Sequence, residues 1–268
     1  GAIGNAVTFS KIGTDITATA DLGNVNNGLW LNNASSTSVS DDVISGNGRG
    51  ILIRDDGAAA AATSNSIAFT MVGTGYGWGY IPNDLEGILI ENSSYNSIYA
   101  STSVLNNGLA GVVITDVPWY GGPSPSTGNW VIAETGSNGG LGIDFNDDSV
   151  TPNDALDADT GPNGLQNYPV TSSGIWDGAQ TTISGTLHSS PGTTFSVYVF
   201  RTAACDPSGY GEGIYTSFPL TGFTTDGSGN LGWTLSSTSW NLSGVYVSVM
   251  ATAWSGTGTS EYSQCALV

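Results

Sequence analysis

The chain has 268 residues; only 10% are charged, 39 are glycine, and 22 acidic against 4 basic residues give a formal net charge of −18. Nucleic acids and anionic membrane surfaces are bound through clustered Lys and Arg, so this composition argues against both as partners. No apolar segment approaches the roughly 20 residues that a membrane-spanning helix needs, which argues against membrane insertion.

A four-residue motif, glycine followed by an apolar, any and an apolar residue, recurs in the first half of the chain. Its five copies are Gly28–Leu31, Gly50–Ile53, Gly87–Ile90, Gly111–Ile114 and Gly142–Phe145. Asn-Gly and Gly-Asn pairs, which tolerate positive φ, separate these short runs. Strands this short cannot bury their inward side alone, but copies stacked about 4.8 Å apart form a continuous core. The pattern predicts a right-handed parallel β-helix over residues 1–145.

A longer repeat overlies the short motif. Asn5–Thr14 matches Asn65–Thr74, and Asn129 begins a third copy. Residues 1–62 and 63–128 are therefore two copies of one unit. A coil of three short strands needs roughly 20 residues, which is at the short end of the repeat lengths found in solenoids. We therefore expect three coils in each unit. The equivalent asparagines either form ladders along the stack or serve the turns; they are Asn5, Asn65 and Asn129, and Asn33 with Asn92.

Two loops of the predicted β-helix are rich in aromatic residues and glycine. One contains Tyr76, Trp78 and Tyr80, and the other contains Trp119 and Tyr120. Aromatic rings on loops suit sugar rings and subunit interfaces equally well. The alternative is that they pack on the flank of the β-helix itself.

Residues 146–169 form an acidic junction. Its sequence Asp157-x-Asp159-x-Gly161-x-Asn163 places oxygen ligands at alternate positions, as Ca²⁺ prefers. We expect a calcium site formed by Asp154, Asp157, Asp159 and Asn163. The alternative is a solvated linker whose aspartates cap turns.

From residue 170 to 268, alternating runs predict an Ig-like antiparallel β-sandwich. The clearest runs are 181–187, 194–200, 231–235 and 245–249. Cys205 and Cys265 are the only cysteines, and an even count in this acidic, Lys-poor chain favours a disulfide and an oxidising compartment. Two free buried thiols are the alternative.

Several segments resemble a known group of proteins. Asn27–Ser35, Val43–Gly48 and Ile12–Asp15 are similar to the repeats of bacterial extracellular right-handed parallel β-helix proteins. Leu141–Asp144 and Gly161–Pro169 resemble the junction of those proteins with a C-terminal β-sandwich module. The resemblance implies the fold and an extracellular or cell-surface location, and it says little about activity.

No catalytic set stands out in the sequence. Arg54 beside Asp55 and Asp56 reads as an ion pair at a turn, and adjacent acids on a strand point to opposite sides. His188, the single histidine, is expected at the surface.

The leading hypothesis is therefore a non-enzymatic structural or adhesive surface protein. Because the sequence shows no cap before its first coil, we expect self-assembly as a homo-oligomer, filament or layer. The alternative is a β-helix protein that binds or degrades polysaccharides as a lyase or hydrolase, with carbohydrate as partner.

Overall fold

A computed structural model describes residues 2–57, 62–117, 126–202, 204–216 and 220–268. The described chain is almost entirely β-structure. Three parallel five-stranded sheets are followed by antiparallel sheets, which confirms the predicted fold class of a parallel β-helix with a β-sandwich after it. Trp119 and Tyr120 lie outside the described residues.

The β-helix consists of five coils, and each coil contributes one strand to each of the three sheets. In chain order the strands are β1 (Ala6–Thr8), β2 (Lys11–Ile12), β3 (Asn27–Asn32), β4 (Ser38–Ser40), β5 (Val43–Ile44), β6 (Arg49–Arg54), β7 (Ser66–Ala68), β8 (Met71–Val72), β9 (Ile88–Glu91), β10 (Ser97–Tyr99), β11 (Ser103–Leu105), β12 (Val112–Thr115), β13 (Trp130–Val131), β14 (Glu134–Gly136) and β15 (Ile143–Phe145). We call the sheets of β1, β2 and β3 the first, second and third sheet.

The coils are longer than expected. In the first sheet, the residues that pair from one coil to the next are, in order, Val7, Val39, Ile67, Ile98 and Val131. Each copy of the long repeat therefore contains two coils, and the expectation of three shorter coils was wrong. The reason lies in the connections between strands, which alternate in length from coil to coil.

The long connections occupy two different corners of the β-helix. The first and third coils have a long connection between their second and third strands, as from Ile12 to Asn27, whereas the fifth coil has a short one, from Gly136 to Ile143. Even coils have it after the third strand, as from Arg54 to Ser66. Two consecutive coils thus make up one repeating unit of the sequence.

The core lies inside the coils because alternate residues of each strand point inward. In the third sheet the Gly-led motif supplies two inward columns, for example Ile51 and Ile53 on β6, which pair with Ile88 and Ile90 on β9. All four side chains are fully buried. The motif thus marks one strand of every coil.

Two columns of buried asparagines run along the stack at the turns. The first begins at the N–H of Thr37 and continues through Asn65, Asn96 and Asn129 to Asn163, and each of the first four backbone N–H groups donates to the next side-chain oxygen over 3.0–3.1 Å. The second joins Asn47, Asn83, Asn107 and Asn138. Of the ladder expected for Asn5, Asn65 and Asn129, the last two are present with Asn96 between them, and Asn5 only donates from its side chain to the hydroxyl of Thr37 at 3.4 Å.

The asparagines at positions 33 and 92 behave differently. Asn33 exchanges hydrogen bonds with Asp56, and Asn92 exchanges them with Val117. Each therefore links its turn to the following coil without forming a continuous column.

The sandwich contains two antiparallel sheets. Its strands are β16 (Val170–Trp176), β17 (Thr181–His188), β18 (Thr194–Thr202), β19 (Tyr215–Thr216), β20 (Leu220–Thr224), β21 (Asn230–Ser237), β22 (Tyr246–Ala253), β23 (Gly258–Thr259) and β24 (Ala266–Leu267). β16, β17 and β21 form one sheet, and β18 with β22 forms the centre of the other. Ile183, Trp233, Val197 and Val249 meet between them.

The sandwich closes the last coil of the β-helix. Phe200, Met250 and Tyr262 of the sandwich belong to the same buried cluster as the β-helix core. Thr135 of β14 and Gly213 exchange backbone hydrogen bonds of 2.7 and 2.8 Å. The two parts therefore share one hydrophobic core, and the sandwich acts as the end cap that solenoids need.

Acidic and amide side chains terminate the hydrogen-bond columns at the sandwich. Glu212 accepts the backbone N–H groups of Ser137 and Asn138 at 2.7 and 2.9 Å and so ends the second asparagine column. Asn163, at the end of the first column, donates to the carbonyl of Thr259 at 3.0 Å. These contacts give hydrogen-bond partners to backbone groups of the last coil that a sixth coil would otherwise pair.

The predicted disulfide is present. Cys205 and Cys265 are bonded, with their Cα atoms 6.1 Å apart. The bond joins the loop after β18 to the chain just before β24. By the chain-entropy estimate, closing a loop of this size stabilises the folded state by about 4 kcal/mol.

We predict that Asn96→Ala lowers the free energy of unfolding by about 1–3 kcal/mol, because it leaves the buried N–H of Asn65 without an acceptor. Asn26→Ala, at an exposed position of the same β-helix, is the control and is expected to change stability by less than about 0.5 kcal/mol. Denaturant unfolding of both variants measures this. Equal stabilities of the two variants would contradict a supporting role for the column.

Candidate functional site

Three of the four predicted calcium ligands come together in the junction. Carboxylate oxygens of Asp154, Asp157 and Asp159 lie within 4.8 Å of one another. The backbone bends to bring them there, since Leu156 and Asp157 both adopt positive φ, 64° and 57°. We call these three aspartates the aspartate cluster.

The junction and the sandwich both hold the aspartate cluster in place. Asp157 accepts the backbone N–H of Asn167 at 2.7 Å and the hydroxyl of Ser189 at 2.8 Å. Asp154 accepts the N–H of Ala158 at 3.1 Å. Oδ1 of Asp159 is inaccessible to solvent and receives no hydrogen bond from the described residues. A cation would give this buried oxygen the partner that it lacks.

The pKa values of two aspartates in the cluster are raised, as expected for carboxyl groups that are partly buried close together. Burial raises the pKa of Asp157 to about 6. The hydrogen bonds from Asn167 and Ser189 oppose this rise, and the nearby charges of Asp159 and Asp154 add to it. Burial, with the charge of Asp154, also raises the pKa of Asp159. Three carboxylates this close are costly to ionise together without a compensating positive charge.

The fourth predicted ligand, Asn163, is placed elsewhere. Its side-chain NH₂ donates to the carbonyls of Asn129 and Thr259 at 2.8 and 3.0 Å, and its oxygen accepts the N–H of Asn129. Asn163 is fully buried. Its amide thus serves the end cap of the β-helix, and the sequence alone did not separate this role from metal binding.

The buried carboxyl groups at the end cap were not predicted from the sequence. Glu261 is 2% exposed and accepts the N–H groups of Phe145 and Thr151 at 2.7 and 2.8 Å. Burial is the main cause that raises the pKa of Glu261 to about 8, and the neighbouring charge of Asp144 adds to it. Asp144 is itself buried at the end of the third sheet, which raises its pKa to about 6.

The predicted aromatic contacts are partly visible. Tyr76 lies in a short 3-10 turn, Tyr76–Trp78, and Tyr80 follows it; their side chains are 51% and 75% exposed. The ammonium of Lys11 lies 5.0 Å from the ring centre of Tyr76, a distance at which a cation is attracted to an aromatic face. The side chain of Trp78 lies outside the described part of the chain. The two tyrosines are available to a partner.

Two ion pairs cross the outer side of the third sheet between neighbouring coils. Nε of Arg49 lies 2.7 Å from Glu86, and Arg54 pairs with Glu91. From the sequence, Arg54 was expected to form an ion pair at a local turn with Asp55 and Asp56. The signal for the longer-range pairs was present, because aligning Gly50–Ile53 with Gly87–Ile90 puts each arginine opposite its glutamate.

No known protein family and no curated protein matches this chain in sequence. The specific family suggested by the repeats therefore stays a prediction, whereas the stacked parallel sheets and the antiparallel sheets after them are confirmed. Within the described ranges, no helix has the length and apolar character needed to span a membrane.

We predict that stability falls as pH rises from about 5 to about 8 in the presence of a chelator. The folded state raises the pKa of Asp144 and Asp157 from 3.8 to about 6, and that of Glu261 from 4.5 to about 8. In this window the folded state therefore binds more protons than the unfolded state, so the free energy of unfolding decreases as pH increases.

The variant Glu261→Gln, which cannot ionise, tests the assignment to this residue. It should reduce the fall in the free energy of unfolding between about pH 6 and 8. The exposed control Asp84→Asn should leave that fall unchanged. Urea unfolding across this pH range provides the measurement. A wild-type stability that rises toward pH 8 would show that these carboxyl groups ionise freely in the folded state.

Proposed function

We propose that this chain is a non-enzymatic, extracellular structural or adhesive protein that self-associates through the outer side of its first sheet. The observation that carries the proposal is the chemistry of that side. Its outward strand residues are Ala6, Thr8, Ser38, Ser40, Ser66, Ala68, Ser97, Tyr99 and Trp130. None of these is charged, in a chain whose net charge is −18. We call this surface the first-sheet face.

Large aromatic side chains border the first-sheet face. Tyr99 and Trp130 on the face are 43% and 42% exposed, and Tyr95, Phe69 and Phe9 beside it are 56%, 57% and 79% exposed. Aromatic residues are enriched in protein interfaces, and charged residues are depleted from their centres. The face therefore has the composition of a contact surface.

Charge repulsion favours the same surface for contact between copies. Two molecules of charge −18 repel each other, and the repulsion is least where the facing surfaces carry no carboxylates. An uncharged parallel sheet that runs along all five coils gives two copies a lateral contact. The shared core of β-helix and sandwich supports a rigid structural unit, and the disulfide supports an oxidising, extracellular location.

Calcium is the proposed cofactor. The support is the aspartate cluster, with its orphan Oδ1 of Asp159, within an oxygen-rich segment. Because Asp157 also bonds to Ser189 of the sandwich, a cation bound there would hold the junction against the end cap. Its role would be structural.

We predict that Ca²⁺ raises the melting temperature and that chelation lowers it. A ligand at about 100 times its Kd stabilises the folded state by about 2.7 kcal/mol. Asp159→Asn should remove the calcium response, and Asp84→Asn should retain it. Calorimetry of the three proteins with and without Ca²⁺ measures the effect. A wild-type melting temperature that ignores both Ca²⁺ and chelator would refute the calcium site.

We predict that the average mass in sedimentation velocity rises with protein concentration when Ca²⁺ is present. Trp130→Ala should weaken this association, and Ser66→Glu, which puts a carboxylate on the first-sheet face, should abolish it. Trp254→Ala and Ser173→Glu alter exposed positions of the sandwich and serve as matched controls. A wild-type protein that stays monomeric at every concentration would overturn the proposal.

A further inference from the structure

A groove opens on the outer side of the third sheet, away from the first-sheet face. Its volume is about 410 Å³, within the range of about 300–1,000 Å³ that is common for small-ligand sites. Trp30, Leu52 and Leu85 supply its apolar lining, and Arg49 and Arg54 line it as well. We call it the Trp30 groove.

The indole of Trp30 is presented to solvent by the strand geometry. Trp30 lies between Leu29 and Leu31, which face the core, so its own side chain points outward. The side chain is 54% exposed, whereas Leu52, its neighbour on the next coil, is 2% exposed. An aromatic ring beside a buried aliphatic floor offers a flat apolar surface to the C–H face of a sugar ring.

The charged groups of the groove are fixed before any ligand arrives. Arg49 donates from Nε to Glu86 at 2.7 Å and from Nη1 to Asn27 at 3.2 Å. Glu86 is only 5% exposed, so the glutamate holds the guanidinium in one orientation from below. Arg54 is paired in the same way with Glu91, which is 8% exposed. Planar guanidinium groups held in this way are preorganised hydrogen-bond donors.

The charge balance of the groove selects a neutral ligand. Each arginine is matched by its own glutamate, and the charge of Asp147 also reaches Arg49 and Glu86, since both influence its pKa. No net positive charge is therefore left among the described groove residues to attract a uronic acid or a phosphate, and the overall charge of −18 repels anions. Hydroxyl groups, in contrast, pair well with guanidinium and amide groups.

We infer that the Trp30 groove binds a neutral saccharide, with one sugar ring against the indole of Trp30 and its hydroxyls hydrogen-bonded to Arg49 and Asn27. The inference places a carbohydrate partner at residues other than the two aromatic loops that the sequence analysis considered for sugar binding. It does not depend on self-association, because the groove and the first-sheet face lie on different sheets.

Titration calorimetry of the intact chain with neutral hexasaccharides of glucose, N-acetylglucosamine, xylose and mannose tests the inference. Polygalacturonate oligomers are the acidic comparison. We expect at least one neutral hexasaccharide to bind and the acidic oligomers to bind more weakly. Trp30→Ala should weaken binding at least tenfold, Trp30→Tyr should retain most of it, and Arg49→Lys should weaken it because the planar fork is lost.

Matched controls separate this inference from the proposed function. Trp254→Ala removes an equally exposed tryptophan from the sandwich (57%) and should bind as the wild type does. Trp30→Ala should keep the wild-type melting temperature and self-association. The inference is overturned if none of the neutral hexasaccharides binds, if the acidic oligomers bind best, or if Trp30→Ala binds like wild type.

Discussion

Every coil of a β-helix pairs its backbone with the coils on either side, and the last coil has no neighbour of its own kind. The unpaired N–H and C=O groups at such an end are costly to bury and invite edge-to-edge association. In this chain, several of the N–H groups are met by side chains from other parts of the fold, among them those of Asn163, Glu212 and Glu261. The position of the sandwich follows from this requirement.

The end cap also explains why some carboxyl groups are buried in so acidic a chain. Asparagine suits the interior of a column because it donates to one coil and accepts from the other. At the final coil a carboxyl group offers two acceptor oxygens to backbone N–H groups: Glu212 serves Ser137 and Asn138, and Glu261 serves Phe145 and Thr151. Because Glu212 and Glu261 are buried, the net charge overstates the charge at the surface.

Local pattern was enough to predict the strands of the third sheet and four strands of the sandwich. The Gly-led motif marks β3, β6, β9, β12 and β15. It does so because a short run of alternating apolar residues between turn residues is typical of a strand. The coil length could not be predicted, because the long connections lie at two different turns in successive coils. The sequence therefore repeats once every two coils and not once every coil. The role of Asn163 and the burial of Glu212 and Glu261 depend on docking between segments far apart in sequence, for which the chain carries no local signal.

The asparagine columns have a chemical consequence. Asn47, Asn107 and Asn138 each precede glycine, the sequence in which an amide most readily cyclises to a succinimide and is lost by deamidation. That reaction needs the following glycine nitrogen to approach the side-chain carbon. Here those nitrogens donate to backbone carbonyls of neighbouring coils, and the asparagines are at most 8% exposed. The folded β-helix thus protects these three asparagines from deamidation, and the rate of that reaction depends on how rarely the coils open.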